Sequence, residues 1–245
     1  MSAVTVSFEG PVTRVVLSRP EKLNAFNAEL VEGVAQAVAD AEAAGTRLIV
    51  FQGDGKGFSG GFDLSDIDTS SDGDLLLRFV RVEQALQAIY HARAATLALV
   101  HGASYGAAAD LVAACQWRVA SPDARFRMPG SRFGLVLGTG RLAALVGEDH
   151  ARNLLLRDKP FGADEALKCS FLTEVADKGT WSSVSDRILG HVLALDADTF
   201  AALSARKRRD TRDADLAVLA LSATNGSVKD RIRAYLSEMA AAREK

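Results

Sequence analysis

Two glycine-bearing stretches each follow a run that reads as a buried strand. They are Gly57-Phe58-Ser59-Gly60-Gly61-Phe62-Asp63-Leu64 and His101-Gly102-Ala103-Ser104-Tyr105-Gly106-Ala107-Ala108-Ala109-Asp110. Small residues there let backbone N–H groups approach a ligand closely, and ligands collect at strand C-termini in open parallel sheets. Two amides from two such loops, aimed at one oxygen, would stabilise a developing negative charge; one such donor is worth about 3–4 kcal/mol in a transition state. Taken alone, each stretch reads as a tight turn with close packing, and only the pair points to chemistry. Neither reads as a P-loop phosphate cradle, since no Gly-Lys-Ser/Thr follows Gly57 at the required spacing. Asp110 stands three residues after Ala107, which puts both on one face of a helix's first turn. Its plain reading is an aspartate favoured by the helix dipole; its apolar neighbours Ala108, Ala109, Leu111 and Val112 argue for more.

The elements that must hold these loops follow from periodicity. Val4, Val6 and Phe8 alternate with polar residues, Glu9-Gly10-Pro11 punctuates, and Val12 to Leu17 follows, which predicts a hairpin. A turn-rich segment around Pro20 leads to a helix over 28–44, whose Leu30, Val31, Val34, Ala37, Val38 and Ala41 recur at helical spacing before Gly45. Buried strands are expected at 48–51, 96–100 and 117–120, with helices at 74–91 and within 102–115 between them. Strand and helix in alternation favour parallel pairing with right-handed crossovers. From Arg141 onward the chain reads as helices alone, near 148–157, 163–169, 181–194, 199–209, 213–223 and 228–243. The expected organisation is an α/β core over 1–190 and a helical part over 191–245.

Composition excludes several classes. Of 245 residues, 48% are hydrophobic and 24% charged, with a formal net charge of −2, so no basic stripe exists to neutralise nucleic-acid phosphates. The run Arg206-Lys207-Arg208-Arg209 precedes Asp210, Asp213 and Asp215 and reads as a solvated helix face. Cys115 and Cys169 stand far apart among apolar neighbours and read as core residues of a reducing compartment. The N-terminus alternates like a strand rather than forming an apolar block, and the largely apolar stretch Ala94 to Val100 is too short to span a bilayer. The expected setting is the cytoplasm, without membrane contact. His91, His101, His150 and His191 lack ligand spacing, so no metal site is expected.

Four segments in order carry a resemblance over nearly the whole chain. Arg19-Pro20-Glu21-Lys22-Leu23-Asn24-Ala25 resembles an R-P-x-x-x-N-A segment, and Phe58 to Leu64 an F-x-A-G-x-D-L/I motif. His101-Gly102 through Asp110-Leu111 is similar to N-G-x-x-x-G-G-G-x-E-L, and Trp117 to Phe126 to the strand and turn that follow it. Together they resemble the crotonase (enoyl-CoA hydratase/isomerase) superfamily. That resemblance implies the ClpP/crotonase fold, a spiral of ββα units with a helical C-terminal trimerisation part, and a homotrimer or dimer of trimers. It implies an acyl-CoA thioester as substrate, with coenzyme A as part of the substrate and no permanently bound cofactor. Carried over by position, the peptide N–H groups of Phe62 and Ala107 become the two oxyanion donors. Asp110 takes the place of an acid/base glutamate, and Asp63 supports its loop. Lys22, Leu23, Ala25, Gly60, Gly61 and Leu64, with Phe62, Asp63 and Ala107, become the CoA-ester contacts. Because the donors are backbone, Phe and Ala leave the hole intact, while the Phe62 side chain reshapes the pocket.

One position departs from the pattern. The family's second catalytic glutamate corresponds to Gly130 in Phe126-Arg127-Met128-Pro129-Gly130-Ser131. Hydration needs an activated water and a protonated carbon, which two positioned groups do well. Ordinary two-glutamate hydration is therefore not the expected activity. A lyase or isomerase working through a stabilised enolate, with Asp110 as proton carrier, is expected; a catalytically degenerate acyl-CoA-binding protein is the alternative. A hydrolase or decarboxylase on a CoA ester uses the same oxyanion logic. Arg127 and Arg132, flanking the gap, read as surface or subunit-contact groups, and His101 as satisfied packing. Tyr105 is left facing either the pocket or a neighbouring subunit. The acyl pocket is expected to be shaped by Phe62, the polar stretch 66–74 and the start of the following helix.

Overall fold

In the computed structural model, which describes residues 2–157 and 159–243, the N-terminal alternation becomes β1 (Val4–Glu9) and β2 (Val12–Leu17). They pair antiparallel from Val4↔Leu17 to Glu9↔Val12 about a turn in which Gly10 takes a positive φ. Helix α1 (Ala28–Ala43) begins where Asn27 accepts the amide of Leu30 through its side chain, and it buries the six residues of the expected stripe. Next come β3 (Leu48–Gly53), α2 (Asp72–Tyr90) behind a Ser71–Asp74 capping box, and β4 (Ala95–Val100). β5 (Ala103–Tyr105), α3 (Ala107–Ala114) and β6 (Trp117–Ala120) complete the first half.

The second half opens with β7 (Arg125–Arg127), a 3-10 turn (Pro129–Phe133), α4 (Thr139–Val146) and α5 (Glu148–Arg157). β8 (Phe161–Gly162), α6 (Ala163–Lys168) and β9 (Glu174–Val175) follow, then α7 (Trp181–Leu193), α8 (Ala197–Lys207), α9 (Arg212–Ala223) and α10 (Val228–Arg243). The main sheet runs β1-β2-β3-β4-β6-β9, parallel from β2 onward; β5, β7 and β8 form a second, three-stranded sheet. The architecture is mixed α/β, as expected, with two sheets and helices between their strands.

Two expectations are corrected. The chain beyond Arg141 is not helical throughout: β8 and β9 interrupt it, each two residues long and too short to show a period. Nor is the basic run wholly solvated. The Arg208 guanidinium lies over the Tyr90 ring, 5.2 Å from its centroid, and donates to Ala92 O at 3.3 Å. No single helix among the described residues is long and apolar enough to cross a membrane.

The main apolar cluster lies between the sheet and α1, α2 and α3, and a second packs α7 against the other sheet face. The segment Arg19–Ala25 is fastened to the loop after β3 by one side chain. Asn24 is wholly buried, and its amide nitrogen faces the carbonyls of Asp54, Gly57 and Phe58 at 2.8, 3.2 and 3.1 Å. Its Oδ1 accepts the Arg19 amide at 2.8 Å. Leu23 and Asn24 both sit at positive φ, which asparagine tolerates better than most residues. Asn24→Ala strands several buried polar groups at once and is expected to cost about 3 kcal/mol; urea unfolding of the two proteins measures it.

Candidate functional site

The strip Ser59–Asp63 is bonded on both sides. On one, Gly60 N–H donates to Leu23 O (2.7 Å), Phe26 N–H to Gly61 O (2.7 Å) and Asp63 N–H to Phe26 O (3.2 Å). On the other, Ser59 N–H donates to Ala103 O (2.9 Å) and Tyr105 N–H to Ser59 O (3.1 Å). Phe26 and Phe62 form a parallel bridge, and in a parallel pair the bridging residue of one strand turns its own N–H away from its partner. The Phe62 N–H therefore points toward the Tyr105–Ala107 side. The two loops touch there: a Cβ on Gly61 would lie 2.3 Å from Tyr105 O and 3.6 Å from Ala107 N. Only glycine, at φ +89°, permits that approach.

Ala107 is the first residue of α3, so its N–H has no partner within the helix. Neither the Phe62 nor the Ala107 amide donates to an acceptor among the described residues. Both residues line one cavity of about 480 Å³, together with Gly60, Leu64, Tyr105, Asp110 and Gly130. Leu64, Phe79, Phe133, Leu135 and Leu137 make its wall largely apolar. Two backbone amides without an acceptor among the described residues and one carboxyl therefore line the same cavity.

Asp110, 9% exposed, makes no side-chain hydrogen bond among the described residues. Burial pushes its carboxyl up to about 7, against the pull of Arg141 and with the help of Glu83. Arg141 is engaged elsewhere: its guanidinium grips the Glu83 carboxylate through Nη1 at 2.8 Å and Nη2 at 2.5 Å, and Glu83 is 1% exposed. Gly138, at φ +69°, closes the other side, where a Cβ would meet Asp110 Oδ1 at 2.2 Å. Asp63 behaves differently. Burial would raise its carboxyl, but Ser65 and the Arg19 guanidinium, 2.9 Å away, hold it below the usual aspartate range. Its contacts brace the loop.

The structure brings Phe62, Ala107, Asp110, Gly60 and Leu64 to the cavity. Gly61 lies just behind it, while Leu23 and Ala25 are half-buried on the strip's other side and Lys22 is exposed. Tyr105 lines the cavity. His101 is buried in packing, its Nε2 on Gly55 O at 3.0 Å and its ring 6.2 Å from that of Trp181, but it is not fully satisfied, since its Nδ1 is buried without a partner among the described residues. The surface reading of Arg127 is corrected: it is half-buried, lines the cavity, and reaches Met239 Sδ on α10 at 3.2 Å. Arg132 lies near Glu238, also on α10, at 3.3 Å. Gly130 lines the cavity with no side chain, and the described residues hold no cluster of three metal-binding side chains. Gly138, Glu83, Phe133 and Tyr235 were not legible beforehand; only a positive-φ demand on Gly138 could have marked it.

Comparison with known proteins agrees with this architecture. The enoyl-CoA hydratase/isomerase family model matches residues 7–229. The probable enoyl-CoA hydratase echA6 of Mycobacterium leprae is 35% identical over 186 residues, which cover 71% of this chain and 72% of that one. A Bordetella parapertussis crystal structure carrying the enoyl-CoA hydratase/isomerase designation is 45% identical, with a TM-score of 0.94, over 96% of this chain and 99% of that one. The enoyl-CoA hydratase structure from Bacillus halodurans, 22% identical with a TM-score of 0.84, covers 95% of this chain and all (100%) of its own and shares the fold. This chain belongs to the enoyl-CoA hydratase/isomerase family of the crotonase superfamily.

Proposed function

We propose that the protein is an acyl-CoA lyase or isomerase working through an enolate. The thioester oxygen accepts the N–H groups of Phe62 and Ala107, and Asp110 carries the proton. The observation that carries this reading is that two open amides and one buried carboxyl line a single apolar cavity. The family acts on acyl-CoA thioesters, which supports the substrate class.

The steps follow from charge. When a carbon beside the thioester loses a proton, the electron pair moves to the carbonyl oxygen, and two fixed amides stabilise it there without reorganising. With a 3-enoyl thioester, the Asp110 carboxylate takes the proton from the α carbon and returns it to the γ carbon as the double bond shifts from β,γ to α,β, so one group serves both transfers. A carboxyl poised near neutrality is suited to the work, since proton transfer is best served by a group whose pKa lies near the operating pH. Gly130 offers no second acid, which disfavours ordinary hydration. The alternative, a binding protein without catalysis, is not favoured by the comparisons.

Asp110→Asn is expected to lower kcat for a 3-enoyl-CoA probe by about 10²–10⁴-fold, with Kd for butyryl-CoA nearly unchanged; a rate equal to the parent's removes Asp110 from the mechanism. Only the carboxylate can accept a proton, so the sign of the pH dependence is fixed. kcat/KM should rise about tenfold per unit on the acid side and level off above a carboxyl value of about 7. Flatness between pH 5 and about 8 contradicts the assignment. Gly130 has room for a side chain, since an added Cβ would meet only Leu135 O, at 3.7 Å, within contact range. Gly130→Glu is therefore expected to raise crotonyl-CoA hydration about tenfold or more, followed by loss of enoyl absorbance.

A further inference from the structure

The Phe62 side chain stands between two spaces. It lines the cavity just described, and it also lines a groove of about 340 Å³ between α1 and α2 whose apolar walls include Phe26, Val31, Leu77 and Val82. Elsewhere the cavity wall is partly backed by core and partly an exposed rim that includes Val136 and Leu156. Phe133 and Leu135 rest on Leu219, Val228 and Ile232, and Met128 belongs to the main cluster. Between the two spaces the wall is the Phe62 ring together with Phe79, which lines the cavity, and Arg78, which lines the groove.

That ring is clamped. Phe79 stacks on it with centroids 4.1 Å apart and planes 16° from parallel. The Arg78 guanidinium carbon lies 4.3 Å from the same centroid, and two groups that close cannot share a face, so Arg78 covers the other. Arg78 is itself tied down at 2.7 Å to Asp66 Oδ1 and at 2.7 Å to Asp63 O. A ring held on both faces does not rotate aside without breaking one of these contacts.

We infer that the Phe62 ring, fixed between Phe79 and Arg78, is the specificity-determining partition that limits acyl-chain length by closing the cavity off from the α1–α2 groove. The inference rests on the acyl-CoA reading above. It assigns the native site to acyl groups that end inside the cavity, and it makes the groove reachable once the ring is removed and Phe79 and Arg78 lose the surface each rests on. The N–H of residue 62 survives any side-chain change, so the partition can be altered while the donor remains.

The test is calorimetric binding of butyryl-, octanoyl- and palmitoyl-CoA to the full chain and to Phe62→Leu, Phe62→Ala and Phe62→Ala/Ala28→Trp. Ala28 is exposed at the start of α1 and lines the groove, so tryptophan there refills it. Each methylene that gains apolar cover tightens binding about fourfold. The parent should hold palmitoyl-CoA no more tightly than octanoyl-CoA. In Phe62→Ala the palmitoyl-to-butyryl affinity ratio should rise about thirtyfold or more, with Phe62→Leu between and the double variant back near the parent. A ratio within about twofold of the parent's in Phe62→Ala, with butyryl-CoA still bound, overturns the partition; so does a gain that Ala28→Trp leaves intact. Should Phe62→Ala not fold, as judged by circular dichroism, Phe62→Leu carries the same comparison. Failure of the parent to bind any of the three esters overturns the acyl-CoA reading itself, and the partition with it.

Discussion

Everything at the site depends on one strip of backbone, Ser59–Asp63, hydrogen-bonded to Leu23–Phe26 on one side and to Ala103–Tyr105 on the other. A buried peptide group normally finds a partner, and leaving one unpaired costs about 1–3 kcal/mol. Here most of the neighbouring groups are spent on one another, while the amides of Phe62 and Ala107, both without an acceptor among the described residues, belong to residues that line the cavity. Three separate turns therefore have to meet. Gly61 lets the strip pass against Tyr105 O, Gly106 takes a positive φ as it leads into α3, and Asn24 locks the outer segment down. A side chain at position 61 would push the loops apart and separate the two donors. The pair is a property of packing rather than of any single motif.

The electrostatics of Asp110 are decided by which carboxylate Arg141 serves. An arginine beside a buried aspartate would ordinarily hold it ionised. Arg141 instead spends its two terminal nitrogens on Glu83, one of which also approaches Asp215 at 3.6 Å, and Gln87 braces Glu83 from behind at 3.0 Å. Burial then outweighs what remains of the attraction. The rise from 3.8 to about 7 corresponds to a bias of roughly 4 kcal/mol toward the neutral acid. A buried Glu–Arg pair adds little net stability, because desolvating both charges offsets their attraction. Breaking it would leave a bare charge next to Asp110 and reset the site.

The fold was legible wherever a period had room to repeat. The stripe from Leu30 to Ala41 predicted the buried face of α1, and the apolar runs at Leu48 and Thr96 predicted central parallel strands. β5, β7, β8 and β9 are two or three residues long, and such pieces have no period; they form because longer elements bring them together. At the site, the loops and Asp110 could be read because their chemistry lies in local sequence. The Glu83–Arg141 pair could not, since 58 residues separate its members. Arg208 misled for a related reason: charge runs are usually solvated, and nothing local announces that Tyr90 will take one arginine under cover.

The same physics bears on what a single-acid cavity does well. Water inside an apolar space needs two to four polar partners to stay, and much of this cavity's wall, Phe79, Phe133, Leu135 and Leu137 among it, is apolar. Within the proposed reaction, a proton lifted by Asp110 has no competing carboxylate among the cavity residues to receive it. Its return is then confined to the substrate carbons within reach of the same side chain. Within that proposal, a cavity with one carboxyl and a largely apolar wall is better suited to moving a proton within the acyl group than to adding water across it.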